Sequence, residues 1–475
     1  MRNLTLLTDL YQLTMMAGYF GSGKTEQHSC FDLYFRRLPF GGGFCLAAGL
    51  QTALEYLEDL RFGEDELEYL SSLNIFSADF VTWLEDFRFQ GDLWAVAEGT
   101  LVFPGEPLLR VEAPLPQAQL IESALLNIIN FQTLVATKAA RVVEAASGGT
   151  VLEFGLRRAQ GIDGALAASR AAFLGGCHAT SNTLAGSMYG IPVKGTHAHS
   201  WIMSFPSEID AFRAYAHNFP TTCTLLVDTY DTLGSGVPNA IQIGNELREG
   251  GHTLAGIRLD SGDLGALSRS ARKMLDDAGF TETKIVASND LDEYQVARLL
   301  ADGARIDIWG VGTNLVTCKD EPALGGVYKL AAAGPNPQKM EPRIKVSSNP
   351  IKTTVPGKKQ TYRLLDENET PIGDVVCLSN ESPPRDGEKL TTFSVSQNRW
   401  QEMRPAKVTP LLEKVIEEGR VRRDLPSLKE ARDRSRKSLE SLPLKYKTLE
   451  RPASYWVGLS RPLWELRQSM LDSLA

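Results

Sequence analysis

Leu254-Ala255-Gly256-Ile257-Arg258-Leu259-Asp260 reads as a short strand that runs from apolar residues into charge. Side chains alternate faces along a strand, so Arg258 and Asp260 point the same way. An arginine there can pair with a carboxylate or lay its flat guanidinium on an aromatic ring. An aspartate two residues on can accept from sugar hydroxyls. An internal Arg–Asp structural pair is the plainer reading of the same two residues. The pattern recurs along the chain. Similar apolar runs occupy residues 150–154, 191–195, 224–228, 284–287, 306–310 and 326–330. Helix-like patterns lie between them at 165–173, 208–218, 240–249, 264–278 and 292–301. Seven strands in a strand–helix rhythm predict an α/β fold with a parallel sheet or barrel. The carboxyl ends of these strands carry the unusual residues: Phe154 and Arg157, His197 and His199, Asp228 and Asp231, Ser288 and Asn289, Gly310 and Gly312. In a barrel those ends share one mouth.

Val193-Lys194-Gly195-Thr196-His197-Ala198-His199-Ser200 places two of the chain's six histidines at one strand end. Imidazole is neutral or charged within reach of neutral pH, which suits it to chemistry. Asp228 and Asp231, in V-D-T-Y-D, could orient such a ring by accepting its second N–H. A metal reading of His178, His197 and His199 lacks a carboxylate at a familiar ligand spacing. Ile308-Trp309-Gly310-Val311-Gly312-Thr313 leaves a strand through two glycines, where the backbone can approach and cradle a phosphate. Ser288-Asn289-Asp290 is a second polar strand end, and reads equally as a helix cap.

The whole chain sets the limits. Its 475 residues call for two or three domains. A net charge of -8 and 43% apolar content fit a globular protein, and argue against nucleic acid as partner. No apolar stretch reaches membrane-spanning length. The start meets Asp9 before any long apolar core forms, so no secretory signal is expected. Six cysteines, none in a Cys-x-x-Cys pair, suggest buried small hydrophobes in a reducing, cytoplasmic protein. Thr8 or Asp9 can cap an N-terminal helix. A long helix is expected over 119–146, connecting the first domain to the second. After Leu330 come a loop, strands and tight turns. The charged run 420–437 is helical in pattern, and 464–474 reads as a closing amphipathic helix.

L-L-T-D-L-Y-Q-L-T-M-M from Leu6, G-T-H-A-H-S, R-L-D-S-G-D, A-S-N-D-L-D-E, V-G-T-N-L and P-G-K-K-Q-T-Y-R together resemble the nicotinate phosphoribosyltransferase family. The resemblance covers nearly the whole chain in order, and places it with the type II phosphoribosyltransferases. It implies an irregular TIM-like α/β barrel of about seven parallel strands (136–335). An N-terminal α+β domain (1–135) would be completed by C-terminal segments (336–475). The family joins nicotinate to 5-phosphoribosyl-1-pyrophosphate with Mg²⁺, and couples this to ATP hydrolysis through a phosphohistidine.

Residue by residue, the resemblance implies the following. His199 matches the phosphorylated histidine and Asp228 the carboxylate that holds it. Phe154 and Tyr11 match the aromatics that sandwich the pyridine ring, Tyr11 coming across a homodimer interface. Arg258 matches an arginine near that ring, and Arg157 one that contacts phosphate and substrate. Asp260 matches the residue that holds the ribose hydroxyls. Gly312 and Thr313, approached by Gly310, match the 5′-phosphate loop. Ser288 and Asn289 join the substrate-binding set. Asn182 stands where a nicotinamide-specific relative has aspartate, which favours an anionic substrate here. His197 and Arg158 depart from the pattern, and His197 reads as filling the strand end. Nicotinamide phosphoribosyltransferase is the competing enzyme reading. A non-catalytic nucleotide-binding scaffold is the competing class, and the intact His199, Asp228, Arg258 and Asp260 argue against it.

Overall fold

The computed structural model describes residues 3–422 and 424–474. Met1 and Arg2, at the start read as leaderless, lie outside the described residues, as does Arg423 in the charged run. The chain divides into two compact units, Met1–Leu134 with Ala323–Ala475, and Val135–Pro322.

In Val135–Pro322 six strands form one sheet: β1 Thr150–Glu153, β2 Ala179–Thr180, β3 Thr224–Leu226, β4 Gly256–Leu259, β5 Lys284–Asn289 and β6 Ile308–Val311. Their order is β2-β1-β6-β5-β4-β3, and every pairing is parallel. Parallel strands buried on both faces read as near-continuous apolar runs. Val151, Leu225, Ile257, Ile285 and Trp309 are accordingly fully buried. Crossover helices return the chain each time. In Leu264–Asp277 the buried Leu264, Ser268, Ala271 and Leu275 recur at helical spacing. The Asp263 side chain caps that helix by accepting from Ala266 N–H at 3.0 Å. Glu293, the first residue of the helix Glu293–Ala301, is fully buried and bonded to Lys138 at 2.7 Å and Arg141 at 2.8 Å. Removing one partner of such a pair strands a buried charge, at a cost of about 3–5 kcal/mol.

The hydrogen-bonded sheet thus has six strands and two edges, where a barrel of about seven was expected. Five of the seven expected strands are present. Residues 191–195 form only an isolated parallel bridge, Val193 to Thr180. Pro192 has no N–H to give a ladder, and Gly190 sits at φ 67°. The run at 326–330 begins Gly326–Gly334, which pairs antiparallel with His28–Phe35 in the other unit. The parallel-sheet unit therefore ends at Pro322, not at 335. The sixth strand, Ala179–Thr180, matches none of the seven expected runs. Two residues are too few to show a period.

The other unit holds a seven-stranded antiparallel sheet in which Leu412–Glu417 and Arg420–Val421 extend strands from the chain's first third. A six-stranded sheet is built wholly from residues after 358, including Lys359–Leu365, Pro371–Leu378 and Val457–Leu459. Buried pairs stitch early and late segments together, such as Lys359 with Asp32 at 2.7 Å. The expected helix at 119–146 is two, Leu115–Leu120 and Glu122–Ala145, with Pro116 tolerated in the first turn. The charged run forms a short strand and then the helix Leu428–Ser441, started by a Ser427–Glu430 capping box. The closing helix is Arg461–Asp472. All six cysteines are buried. Among the described residues no helix is long and apolar enough to cross a membrane.

Candidate active site

The carboxyl ends of parallel strands collect functional groups because helix N-termini and loops meet there. In this sheet Arg258 is the hub. Its Nε donates to Ser288 Oγ at 2.7 Å, Nη1 to Thr196 Oγ1 at 3.0 Å, and Nη2 to Asp260 Oδ1 at 2.7 Å. Strand parity placed Arg258 and Asp260 on one face, and their contact bears that out. Ser288 Oγ also donates to Asp260 Oδ1. Burial alone would raise the Asp260 carboxyl. The Ser288 hydrogen bond and the Arg258 charge outweigh it and hold the group below its usual range.

Asp228 lies beside this hub, two residues beyond β3. Its side chain is 1% exposed. Oδ2 accepts from Asp260 N–H and from the Ser261 hydroxyl, both at 2.7 Å. Oδ1 is buried with no hydrogen-bond partner. That oxygen faces His199, whose Nε2 is 3.9 Å away, while Asp260 Oδ2 is 3.7 Å from the same nitrogen. The direct hydrogen bond to the ring comes from elsewhere: Nδ1 meets Thr229 Oγ1 at 3.1 Å. Asp228 therefore faces the imidazole without bonding it, and Thr229 fixes its orientation. His199 opens the short helix His199–Met203, with its side chain 39% exposed at the mouth.

Phe154 follows β1 and continues its ladder through N–H to Val311 O at 2.8 Å. Its ring lies on Gly310. A Cβ at that glycine would come within 2.7 and 2.8 Å of ring carbons, so glycine is required by contact rather than by dihedral angle. The Arg258 guanidinium lies 5.7 Å from the Phe154 centroid. Gly312 is packed against Phe154 O and precedes Thr313, the first residue of the turn Thr313–Val316. Asn314 donates to the carbonyls of Asp290 and Leu291 at 3.0 and 3.1 Å, which ties the loop after β5 to the loop after β6.

His199, Asp228, Asp260, Arg258 and Ser288 are thus one connected cluster, with Phe154, Gly310 and Gly312 beside it. Arg157 is exposed on the turn Leu156–Arg158, and Asn289 is exposed at the end of β5. Asn182 is 2% exposed and turned into the protein. It caps Thr183–Tyr189 through Ala185 N–H at 3.2 Å and donates to Ser169 Oγ at 3.2 Å. Tyr11 belongs to the other unit, exposed on the helix Leu10–Gly21. Sequence reasoning missed Thr196, Thr229, Ser261 and Glu153. Thr229 and Ser261 each directly follow a residue that was singled out. Glu153 is the one charge in T-V-L-E-F. It is buried, and accepts from Gly155 N–H, Ser169 Oγ and Thr180 Oγ1, fixing the turn that presents Phe154.

A guanidinium, two carboxylates and an imidazole at one mouth, beside a Gly-x-Gly-Thr turn, define an α/β enzyme site suited to a phosphorylated, hydroxylated ligand. Comparison with known proteins gives the particular family. The nicotinate phosphoribosyltransferase N-terminal domain matches residues 6–130, the family itself residues 150–354, and its C-terminal domain residues 358–467. The chain is 45% identical to nicotinate phosphoribosyltransferase of Bacillus subtilis (strain 168), over 99% of this chain and 96% of that one. It is 37% identical to the Homo sapiens protein of the same name, over 99% and 96% of the two chains. The crystal structure of human nicotinic acid phosphoribosyltransferase superposes with a TM-score of 0.86 at 35% identity, covering 98% of this chain and all of that one. Nicotinate-nucleotide pyrophosphorylase from Pyrococcus furiosus shares the fold, with a TM-score of 0.71 at 22% identity over 92% and 96% of the two chains. The chain belongs to the nicotinate phosphoribosyltransferase family.

Proposed function

We propose that this protein joins nicotinate to 5-phosphoribosyl-1-pyrophosphate, giving nicotinate mononucleotide and pyrophosphate, and couples the reaction to ATP hydrolysis through a phosphohistidine at His199. The observation that carries the coupling is the setting of His199, with a hydroxyl on Nδ1 and two carboxylates facing Nε2. A phosphoryl group on Nε2 would sit against Asp228 and Asp260, where like charges repel. Nε2 therefore keeps its proton toward the carboxylates, and Nδ1 offers its lone pair. Thr229 holds that lone pair in place until Nδ1 attacks the γ-phosphorus of ATP. The bond from that phosphorus to the bridging oxygen breaks, and ADP leaves. Hydrolysis of the phosphohistidine then returns His199 and phosphate.

In the transfer step the pyridine nitrogen is itself the nucleophile. It attacks the anomeric carbon as the bond to the pyrophosphate oxygen breaks. Positive charge builds on the ribose, so the site needs positioning and electrostatics more than a base. Phe154 covers one face of the pyridine, and Tyr11 of a second copy in a homodimer covers the other. Asp260 offers Oδ2 to the ribose hydroxyls, its Oδ1 being held by Arg258 and Ser288. Gly312 and Thr313 receive the 5′-phosphate, and Arg157 and Asn289 complete the mouth. Among the described residues no group of three or more His, Cys, Asp or Glu could hold a metal ion. Asp228 and Asp260 are the carboxylates that would help hold Mg²⁺ brought in with the pyrophosphate. When bound, Mg²⁺ neutralises charge on the leaving pyrophosphate.

The test is product formation with nicotinate and with nicotinamide, each with and without ATP. Nicotinate is expected to be used at least about tenfold better, and ATP to raise its rate. Equal or better use of nicotinamide overturns the substrate assignment. The Phe154 seat makes a separate prediction. Gly310→Ala drives a methyl group into the ring, and should lower kcat/KM for nicotinate by about 10- to 100-fold. Steady-state kinetics with each substrate varied in turn will show whether the loss falls on nicotinate.

A further inference from the structure

His197 is the one polar side chain of the G-T-H-A-H segment to which neither the Arg258 cluster nor the reaction gives a task. It is 8% exposed, and its ring meets Tyr215 edge-on with centroids 4.6 Å apart. Its Nε2 accepts the Leu226 N–H at 3.3 Å. Leu226 ends β3, an edge strand of the sheet. The next residue, Val227, donates inward to Arg258 O at 3.1 Å. By strand alternation the Leu226 N–H therefore points out of the open edge, where a buried donor needs a partner. Among the described residues no strand pairs with that edge, and the imidazole takes the place of a carbonyl. The same segment is tied to the opposite edge of the sheet. Thr180 N–H donates to Pro192 O, and Lys194 N–H to Thr180 O, both at 3.0 Å. Residues 192–197 thus reach from one sheet edge to the other, by backbone at β2 and by the His197 side chain at β3.

We propose that His197 is a positioning residue, clasping the segment that carries His199 to β3 so that His199 meets Thr229 and Asp228 in register. His199 lies two residues past His197, and Asp228 and Thr229 lie two and three past Leu226. One hydrogen bond therefore sets the spacing of both sides of the pair. An imidazole accepts only while uncharged. Burial pulls the His197 imidazole down to about 4, with help from the nearby Arg258 and His199 charges. It stays an acceptor throughout the neutral range.

The inference rests on the phosphohistidine reading, so the experiment reads that step apart from transfer. His197→Phe keeps a ring against Tyr215 and removes the acceptor. His197→Gln returns an acceptor at about the reach of Nε2. Two rates are measured on the full-length protein: phosphate incorporation from γ-labelled ATP, and nucleotide formation without ATP. The Phe variant should lose about tenfold in phosphate incorporation while ATP-independent transfer stays within about threefold, and Gln should restore labelling. Unchanged labelling in the Phe variant overturns the proposal. So does a parallel fall in both rates, which would mark a purely structural role. If the Phe variant does not fold, His197→Asn, too short to reach Leu226, is compared with His197→Gln in its place. Wild-type protein that takes no label sinks the phosphohistidine reading, and this inference with it.

Discussion

Arg258→Ala is expected to lower kcat/KM for nucleotide formation by about 10²- to 10³-fold while leaving the protein folded. The guanidinium serves three acceptors at once, Ser288, Thr196 and Asp260. Those three come from β5, from the segment before His199 and from the end of β4, so one side chain sets the relative position of three elements. Its loss frees Asp260 Oδ1 of its cationic partner and leaves only the Ser288 hydroxyl on it. The carboxylate proposed to meet the ribose hydroxyls then gains rotamers, and misplacement by about 1 Å is enough to cost about 10²-fold. The plane above Phe154 also loses its cation. Arg258→Lys separates charge from geometry. A lysine restores the positive charge but cannot present a rigid fork to three oxygens. It should therefore recover only part of the rate. Steady-state kinetics on both variants, with thermal midpoints as the control for folding, decide the matter. An Ala variant within about threefold of wild type would remove Arg258 from the machinery.

How much of this was legible depended on the length of each signal. Long periodic segments were readable: the helix Glu208–Asn218 falls where its pattern put it. Short apolar runs were not assignable to a particular sheet. Residues 326–330 and 284–287 look alike in sequence, yet one enters an antiparallel sheet and the other a parallel one. Strand pairing is a long-range choice, and so short a run holds no record of its partner. The site followed the same logic. Arg258 and Asp260 were found because strand parity is local. Thr229 was passed over because a threonine after an aspartate carries no mark of chemistry. Its role exists only once β3 and the His199 segment are side by side. Asn182 was read for its charge alone. Its place at a helix start, followed by T-L-A-G-S-M-Y, also signals an N-cap, and in the structure its amide is engaged there.

His199→Ala should abolish phosphate incorporation from ATP and cut the ATP hydrolysis that accompanies nucleotide formation by at least about 100-fold. Transfer from 5-phosphoribosyl-1-pyrophosphate without ATP should continue, because the pyridine nitrogen needs no base and Arg258, Asp260 and Phe154 stay in place. The contrast with Thr229→Val tells positioning from chemistry. Valine keeps the shape but removes the hydroxyl on Nδ1. One neutral hydrogen bond contributes about 1 kcal/mol, so labelling should slow by about fivefold rather than vanish. Asp228→Asn acts on the other side of the ring. It halves the negative pair facing Nε2, where Oδ1 of Asp228 has no other partner. The tautomer with a free Nδ1 lone pair is then less favoured, and labelling should fall between the other two variants. A His199→Ala protein that still consumes ATP in proportion to nucleotide formed would separate ATP cleavage from this imidazole. It would also leave Asp260 to serve the ribose alone. The order His199→Ala, Asp228→Asn, Thr229→Val, from most to least damaging, follows from treating Nδ1 as the nucleophile. If Nε2 were the nucleophile, removing the Asp228 charge would lift repulsion from the incoming phosphoryl group, and labelling would rise.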